Sequence, residues 1–202
     1  MNLFPIFLKL AGRRCLVVGA GNLGESKIRS LLEAGASVRV VALAASNAIA
    51  ELADAGVITF EQRGFEARDL DDMFLVIAAT PVTDLNQAIF QEAQARGVLC
   101  NAVDDPDHCD FYSGAVVRRG DLQIAISTAG HSPALAQRLR RQLEEQFGPE
   151  YSEWLERLGS ARKQLFATGI DPEVRRNLLH EIASEGAFAA IHAPDGKGRG
   201  SN

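Results

Sequence analysis

The segment CNAVDDPDHCDF, residues 100–111, concentrates side chains whose types could do chemistry. It holds four aspartates, one histidine and two cysteines within twelve residues. Carboxylate, imidazole and thiolate are ligand types that transition metals accept from proteins, and a carboxylate can also act as a general base. The composition leaves three interpretations open: a metal site, an acid–base site, or an acidic loop without chemistry.

The spacing of these residues argues against a permanent metal site. Zinc sites in loops usually pair their ligands as CxxC or HxxxH, whereas His108 and Cys109 are adjacent. Adjacent side chains diverge unless the backbone turns sharply, so we expect no permanent metal and a polar surface loop over residues 105–110. Transient handling of iron by Asp104 or His108 stays open.

The composition is that of an ordinary globular chain. Its 202 residues are 47% hydrophobic and 23% charged, with a formal net charge of −5, so we expect neither a nucleic-acid-binding surface nor a membrane span, which needs roughly 20 apolar residues. The three cysteines are unpatterned and the N-terminus lacks the features of a secretory signal. These features favour a reducing cytoplasm.

Strand and helix patterns alternate through the first half of the chain. Short apolar runs predict strands at 14–18, 37–43, 57–61, 74–79 and 98–103, and helical spacing predicts helices at 22–34, 47–55 and 83–96. Nearly continuous apolar strands separated by helices are typical of a parallel sheet covered on both faces. We therefore predict an α/β fold, a Rossmann-type doubly wound parallel sheet.

The pattern changes after residue 112. Runs at 115–118 and 122–127 predict a small β-hairpin, and Ser132-Pro133 predicts a helix start with Ser132 as N-cap. Two more helices are expected near 150–168 and 172–185. We predict four regions: an NAD-binding Rossmann domain at 1–112, a dimerisation and substrate segment at 113–148, a helical C-terminal domain at 149–192, and a disordered tail at 193–202.

A glycine-rich loop, Gly19-Ala20-Gly21-Asn22-Leu23-Gly24, follows the first predicted strand. Glycines in G-x-G-x-x-G allow a tight turn, close approach to a pyrophosphate and close helix packing, and the helix N-terminus favours phosphate. The second predicted strand is followed by neither a carboxylate for the ribose of NAD nor an arginine for the 2′-phosphate of NADP. We expect the backbone at Leu43 and Ala44 to hold the ribose, and we favour NAD because no positive charge is evident.

Ligands of open α/β sheets bind beyond the carboxyl ends of the strands. The fourth predicted strand ends at Thr80, and the fifth carries Asn101 and then Asp104. Asp104 comes first after the strand, where a rigid backbone would aim it best. We predict that Asp104 is the acid–base residue and that the cofactor is bound by Gly19, Gly21, Asn22, Leu23, Gly24, Leu43, Ala44, Thr80 and Asn101.

Four segments together resemble the siroheme-synthase dehydrogenase/ferrochelatase family, also called precorrin-2 dehydrogenase. They are GAGNLG after LFPIFLKL, AAT at the fourth strand, CNAVDDP at the fifth, and GDLQIAISTAGHSPALAQRLR. The resemblance covers residues 3–165, and its most specific part is S-T-x-G-x-S-P followed by a leucine- and arginine-rich helix. Gly24 departs from the family, which often has alanine there, and so does Tyr112-Ser113-Gly114, where many members have a proline.

The resemblance implies NAD-dependent oxidation of precorrin-2 to sirohydrochlorin, with ferrous iron insertion in some members and an intertwined homodimer. It assigns Asp104 to dehydrogenation and chelation. Because precorrin-2 carries many carboxylates, we expect cationic and N–H donors around it. The candidate substrate-binding residues are Ser127, Thr128, Gly130, His131, Ser132, Arg118 and Arg138, with Arg119, Arg140 and Arg141 as further cationic candidates.

Two alternatives stay open. The chain could be a regulatory domain that senses NAD without catalysis and gates a partner, or a Rossmann oxidoreductase with a different small substrate. A sensor has no evident need for the hairpin and the STAGHSPALAQRLRRQL segment, and this feature favours the dehydrogenase.

Overall fold

The computed structural model describes residues 3–192, so the tail predicted at 193–202 lies outside it. Contacts divide the chain into two compact units, Met1–Ser113 and Gly114–Asn202, called here the first and the second unit. The finer division into four regions stays a prediction. Among residues 3–192, no helix combines the length and the apolar character needed to cross a membrane.

The first unit is built on a five-stranded parallel sheet. Its strands are β1 (Arg14–Ala20), β2 (Ser37–Ala45), β3 (Thr59–Gln62), β4 (Leu75–Ala78) and β5 (Leu99–Ala102), in the order β3-β2-β1-β4-β5. The Rossmann-type prediction is confirmed. Because the chain order reverses between β1 and β4, the crevice between their carboxyl ends is the topological switch point at which such sheets bind ligands.

Helices cover both faces of this sheet. On one face, Ile28 of α1 (Asn22–Glu33) and Ile49 of α2 (Asn47–Asp54) pack with Val40; on the other, Ile89 of α3 (Thr83–Arg96) packs with Val76. All five side chains are fully buried, and each such burial stabilises the fold by about 1.5–3 kcal/mol. Burial on both faces explains why the strands read as continuous apolar runs.

The third strand begins later than the sequence predicts. The run from Val57 was expected to be strand, but the strand begins at Thr59. The backbone N–H of Val57 donates instead to the carbonyl of Leu52 at 2.9 Å, closing the end of α2. A β-branched residue is thus used to terminate a helix, which local strand propensity does not reveal.

The second unit combines a hairpin with four helices in its described part. Strands β6 (Ala115–Arg119) and β7 (Leu122–Ile126) pair antiparallel, followed by α4 (Pro133–Gln146), α5 (Glu150–Ala167), α6 (Pro172–Ile182) and α7 (Glu185–His192). The sequence predicts a single helix over 172–185, but α6 ends at Ile182 and α7 begins at Glu185. Ser184 interrupts it because its hydroxyl accepts from the backbone N–H of Ala187 at 3.2 Å and starts a new helix.

Candidate active site

A cavity of about 530 Å³ lies at the switch point of the first unit. Its walls come from the carboxyl ends of β1 and β2 and from the segments that follow β1, β3 and β4, which is where the fold class places a dinucleotide. The lining residues are Val18, Gly19, Ala20, Gly21, Asn22, Leu23, Val41, Ala42, Leu43, Ala44, Arg63, Gly64, Phe65, Ala79, Thr80, Pro81, Val82 and Leu85.

The three glycines of the loop have the three roles that a dinucleotide requires. Gly19 has φ of +103° and a Cβ there would overlap the carbonyl of Ala79, while a Cβ at Gly24 would overlap the carbonyl of Gly19. No protein atom lies within 4 Å of a Cβ built at Gly21. The first glycine therefore makes the turn, the third makes the close packing, and the second leaves space for a ligand, so the loop fits a pyrophosphate.

Helix α1 begins at the cavity with Asn22 and Leu23. Within the described chain, no side chain caps its first turn, so its N–H groups and positive dipole end can receive a phosphate. Glu25 of the same turn is tied to the neighbouring β2–α2 junction, because the Ser46 hydroxyl donates to its carboxylate at 2.9 Å. A hydrogen bond from Arg29, together with this bond from Ser46, lowers the pKa of Glu25.

The Thr80 loop after β4 is held in place by Asn86, which is buried. The Asn86 amide accepts from the Thr80 hydroxyl at 2.7 Å and from the Thr80 N–H at 3.2 Å, and it donates to the Thr80 carbonyl at 3.0 Å. Asn86 is a supporting residue that the sequence analysis missed. The signal for it was a polar residue one turn into a helix that otherwise buries its face.

The predicted cofactor residues divide into those that line the cavity and those that do not. Gly24 lies behind the loop, and Asn101 is absent from the lining. The Asn101 amide instead donates to the carbonyl of Phe111 at 2.8 Å and approaches the sulfur of Cys109 at 3.3 Å. Asn101 thus fastens the acidic loop onto β5, and its predicted cofactor contact stays a prediction without support from this geometry.

Asp104 has an exposed side chain and a left-handed backbone, with φ of +63°. A non-glycine residue in this region is uncommon, and such strain tends to occur at functional sites. The loop around it is fixed by backbone bonds, including Val103 N–H to Ala78 carbonyl at 2.9 Å. The structure therefore fixes the backbone of Asp104 just beyond the carboxyl end of β5 and leaves its side chain exposed.

Lys27 of α1 is a neighbour of Asp104 that the sequence analysis missed. Burial lowers the pKa of the half-buried Lys27 ammonium, and the charges of Asp104 and Cys109 partly offset this by favouring the protonated form. Lys27 directly precedes the fully buried Ile28, which packs in the same cluster as Val103. A helical wheel of α1 would have placed Lys27 at the edge of its buried face.

The rest of the acidic loop has structural partners. Asp105 bonds to His108 at 2.8 Å and accepts from Gln87 at 3.2 Å, and these bonds lower its pKa. Asp110 accepts from the backbone N–H of Cys100 at 2.8 Å. Over residues 3–192, no group of three histidine, cysteine or acidic side chains is arranged to hold a metal ion. The predicted polar loop is therefore held against the rest of the first unit by side-chain hydrogen bonds.

Arg63 also lines the cavity, directly after β3. The segment after β2 contains no arginine, as the sequence analysis states, and Arg63 enters the cavity wall from a different strand. Strand β3 lies beside β2, and its carboxyl end opens onto the same cleft. Applying the strand-end rule to the third strand, as to the fourth and fifth, would have found Arg63.

The candidate substrate residues of the second unit form a tight turn. Ala129 has φ of +50° and Gly130 of +81°. The Ser127 hydroxyl accepts from the N–H of Ala129 at 3.1 Å, and the Thr128 hydroxyl accepts from the N–H of Ser132 at 3.2 Å. The hydroxyls thus shape the turn, and their predicted substrate contacts stay predictions.

Ser132 is the N-cap of α4, as predicted, with its hydroxyl accepting from the N–H of Leu135 at 3.2 Å. The arginines nearby differ in how far their side chains are exposed. Arg119 donates to the carbonyls of Phe147 and Glu144 at the end of α4, and Arg140 pairs with Glu144. Other members of the predicted set, His131, Arg118, Arg138 and Arg141, have exposed side chains.

Comparison with known protein families assigns the first unit. A model described as NAD(P)-binding matches residues 6–115, more than half of the chain. The chain belongs to this NAD(P)-binding family. A second model, described as sirohaem biosynthesis protein central, matches residues 119–146, which contain the hairpin turn, the STAGHS segment and α4. A nicotinamide dinucleotide is therefore the cofactor class of the cavity.

Curated relatives extend the match to nearly the whole chain. Siroheme synthase of Methylococcus capsulatus is 38% identical over 191 residues, covering 95% of this chain and 40% of its own length. Siroheme synthase of Nitrosococcus oceani is 42% identical over 144 residues, covering 71% of this chain and 31% of its own length. The chain thus spans less than half of the length of these relatives.

A solved structure resembles the fold closely. SirC, a precorrin-2 dehydrogenase, has a TM-score of 0.78 with 27% identity, and the match covers 92% of each chain. Together with the two family models, these relatives confirm the resemblance to the siroheme-synthase dehydrogenase family that the sequence motifs indicated.

Proposed function

We propose that this chain catalyses the NAD-dependent oxidation of precorrin-2 to sirohydrochlorin in the cytoplasm. The observation that carries the proposal is the pairing of a dinucleotide cavity at the switch point with a strained, exposed Asp104 at the end of β5. The likeness to SirC along nearly the full chain supports the substrate.

The chemistry needs a hydride acceptor and a proton acceptor. Bound NAD supplies the hydride acceptor. The Asp104 carboxylate accepts the proton that the substrate loses, and the Lys27 ammonium is its charged neighbour. Hydrogen bonds of Asn101 and Asp110 hold the acidic loop against β5. The loop therefore keeps the backbone of Asp104 in place.

The second unit provides groups that suit an acidic tetrapyrrole. Arg118 and Arg138 expose their side chains, and the start of α4 follows the Ser127–Ser132 turn. Exposed guanidinium groups bind carboxylates with two parallel hydrogen bonds. A purely NAD-sensing domain would need none of these groups, which favours the dehydrogenase over the regulatory alternative.

Reconstitution tests the proposal directly. Purified protein, precorrin-2 and NAD should give NADH and sirohydrochlorin in equal amounts, each followed by its absorbance. NAD binding without any turnover of precorrin-2 would overturn the proposal and favour the sensor alternative. Quenching of Trp154 fluorescence by the tetrapyrrole gives an independent measure of substrate binding.

Insertion of ferrous iron is the second candidate activity, favoured by the siroheme synthase name of the relatives. Ferrous iron added after the oxidation is complete should convert sirohydrochlorin to siroheme faster than in the protein-free control. Equal rates in the two samples would remove this activity from the proposal.

A homodimer is the proposed assembly. The described N-terminal segment exposes several large apolar side chains, Phe4 by 85% and Phe7 by 68%, and the second unit exposes Phe166 and Val174 by about half. Clustered exposed apolar side chains commonly mark an interface. Light scattering should give twice the mass of one chain, and a monomeric mass would refute the dimer.

A further inference from the structure

Arg63 stands where the adenosine half of a dinucleotide would lie. In this fold class the ribose that carries the 2′-hydroxyl sits at the end of β2. The pairing of Ala42 with Gln62 puts Leu43 beside Arg63, and both residues line the cavity. The 2′-position of the ribose, phosphorylated only in NADP, therefore falls next to Arg63.

The guanidinium of Arg63 already uses all of its donors. Its Nε–H donates to Glu61 at 3.0 Å, one Nη donates to the Gly64 carbonyl at 2.9 Å and to Asp69 at 2.8 Å, and the other donates to Glu61 at 2.7 Å and Asp69 at 2.6 Å. A guanidinium has five N–H donors. Arg63 thus has none left for a phosphate unless an existing bond breaks.

The carboxylates of Glu61 and Asp69 also neutralise the positive charge that Arg63 would bring to the cavity wall. Although burial opposes its charged form, the fully buried Asp69 has a lowered pKa because Arg63 and the backbone N–H of Glu66 donate to it. Glu61 has a lowered pKa as well, chiefly through its hydrogen bond from Arg63. Arg39 also pairs with both carboxylates, so two arginines pair with two carboxylates and these four charges sum to zero.

We propose that Arg63 binds the adenine ring through the flat face of its guanidinium, and that Glu61 and Asp69 make the cavity select NAD over NADP by occupying its edges. Guanidinium planes stack on aromatic rings without using their N–H groups. A 2′-phosphate would meet a guanidinium whose donors are already taken by Glu61, Asp69 and the Gly64 carbonyl. This inference rests on the proposed use of a nicotinamide dinucleotide and adds the residues that choose between its two forms.

Calorimetric titration of the purified protein with NAD and with NADP tests the selectivity, without any need for precorrin-2. Wild type should bind NAD at least about tenfold more tightly than NADP, the effect of about one unfavourable charged contact. Glu61→Gln removes one of the two carboxylates that occupy the Arg63 guanidinium and should narrow that ratio by about tenfold, mainly through tighter NADP binding. Adenosine monophosphate and adenosine 2′,5′-bisphosphate should repeat the comparison on the adenosine half alone.

A matched pair of arginine variants tests the stacking. Arg63→Met should weaken NAD binding by about fivefold, the size of one cation–π contact. Arg39→Met is the control, because Arg39 pairs with the same two carboxylates at 2.7 and 3.0 Å but does not line the cavity. It should leave NAD affinity within about twofold, and melting temperatures of all variants report any loss of folding.

The outcomes are distinct. Equal affinity of wild type for NAD and NADP, or an unchanged ratio in Glu61→Gln, overturns the selectivity. Equal weakening of NAD binding by the two arginine variants overturns the stacking and leaves Arg63 a structural residue. If NAD binds as described but precorrin-2 is not oxidised, the proposed function fails and this inference stands; if oxidation proceeds and the ratio does not change, only this inference fails.

Discussion

The two units of this chain differ in how far each completes its own core. Of the described hydrophobic residues that are buried, all but Val117 and Ala136 lie in the first unit. The helices of the first unit cover the apolar faces of its parallel sheet. By contrast, α5 and α6 of the second unit bury no residue fully. Tyr151 and Trp154 of α5 form an aromatic group with Phe188 of α7.

This contrast separates two tasks. A cofactor cavity needs backbone atoms held to fractions of an ångström, so it is built where burial is complete. The second unit leaves apolar side chains such as Phe166 exposed, and its stability should depend on what covers them. We therefore expect cofactor binding to survive changes that abolish assembly.

Separating the units should give the largest effect. A fragment of residues 1–113 should unfold cooperatively on heating and bind NAD, because its core is intact. A fragment of residues 114–202, kept dilute enough to stay monomeric, should contain helix but show no cooperative transition, because little apolar area is buried within it. Circular dichroism during heating measures both, and a sharp transition in the second fragment would break the comparison.

Asp104→Asn should remove most of the oxidation activity and leave the folding stability unchanged. Losing a general base costs about 100-fold to 10,000-fold in turnover, whereas the exposed side chain adds little to stability. Asparagine tolerates the left-handed backbone at this position better than alanine does, so strain does not confuse the result. Single-turnover oxidation should fall while NAD affinity and melting temperature hold; activity near that of wild type would move the chemistry elsewhere.

Two glycine substitutions separate stability from cofactor binding within the first unit. Gly19→Ala places a methyl group against the Ala79 carbonyl at φ of +103° and should lower the free energy of unfolding by about 2 kcal/mol or more. Gly21→Ala meets no protein atom within 4 Å and should leave stability unchanged while weakening NAD binding roughly tenfold. Chemical denaturation and calorimetry distinguish them, and matching losses of stability would contradict the assignment of the two glycines.

The sequence was sufficient for features that are local. Strands, helices, the glycine loop and the Ser132 cap each depend on residues within one segment, so periodicity and capping chemistry predict them. Asp104 was predicted because its place depends only on the end of one strand. The break at Ser184 was also local, but a serine followed by a glutamate inside a helical pattern did not outweigh the periodicity around it.

The residues that sequence reasoning missed depend on non-local geometry. Arg63 faces the cavity because β3 pairs with β2, and Lys27 approaches Asp104 because α1 packs on the face that carries Val103. Asn101 was placed at a strand end correctly, yet its amide turned towards the loop and away from the cavity. Strand order, helix rotation and rotamer choice come from tertiary packing, so a single segment does not contain them.

Lys27→Met should give the smallest effect. It tests whether the charge of Lys27 in the first unit contributes to the reaction at Asp104. Lys27 supplies a positive charge beside Asp104, so its removal should slow oxidation by about fivefold near neutral pH and should abolish the alkaline loss of rate that follows deprotonation of the lysine. Because burial lowers the pKa of Lys27, wild type should also lose rate on its alkaline side before an exposed lysine would deprotonate. Methionine fills a similar volume without charge, so the melting temperature should not fall. Lys163→Met, on the exposed surface of α5, is the control and should keep the wild-type profile; an unchanged profile in Lys27→Met would mean that Asp104 works without help from α1.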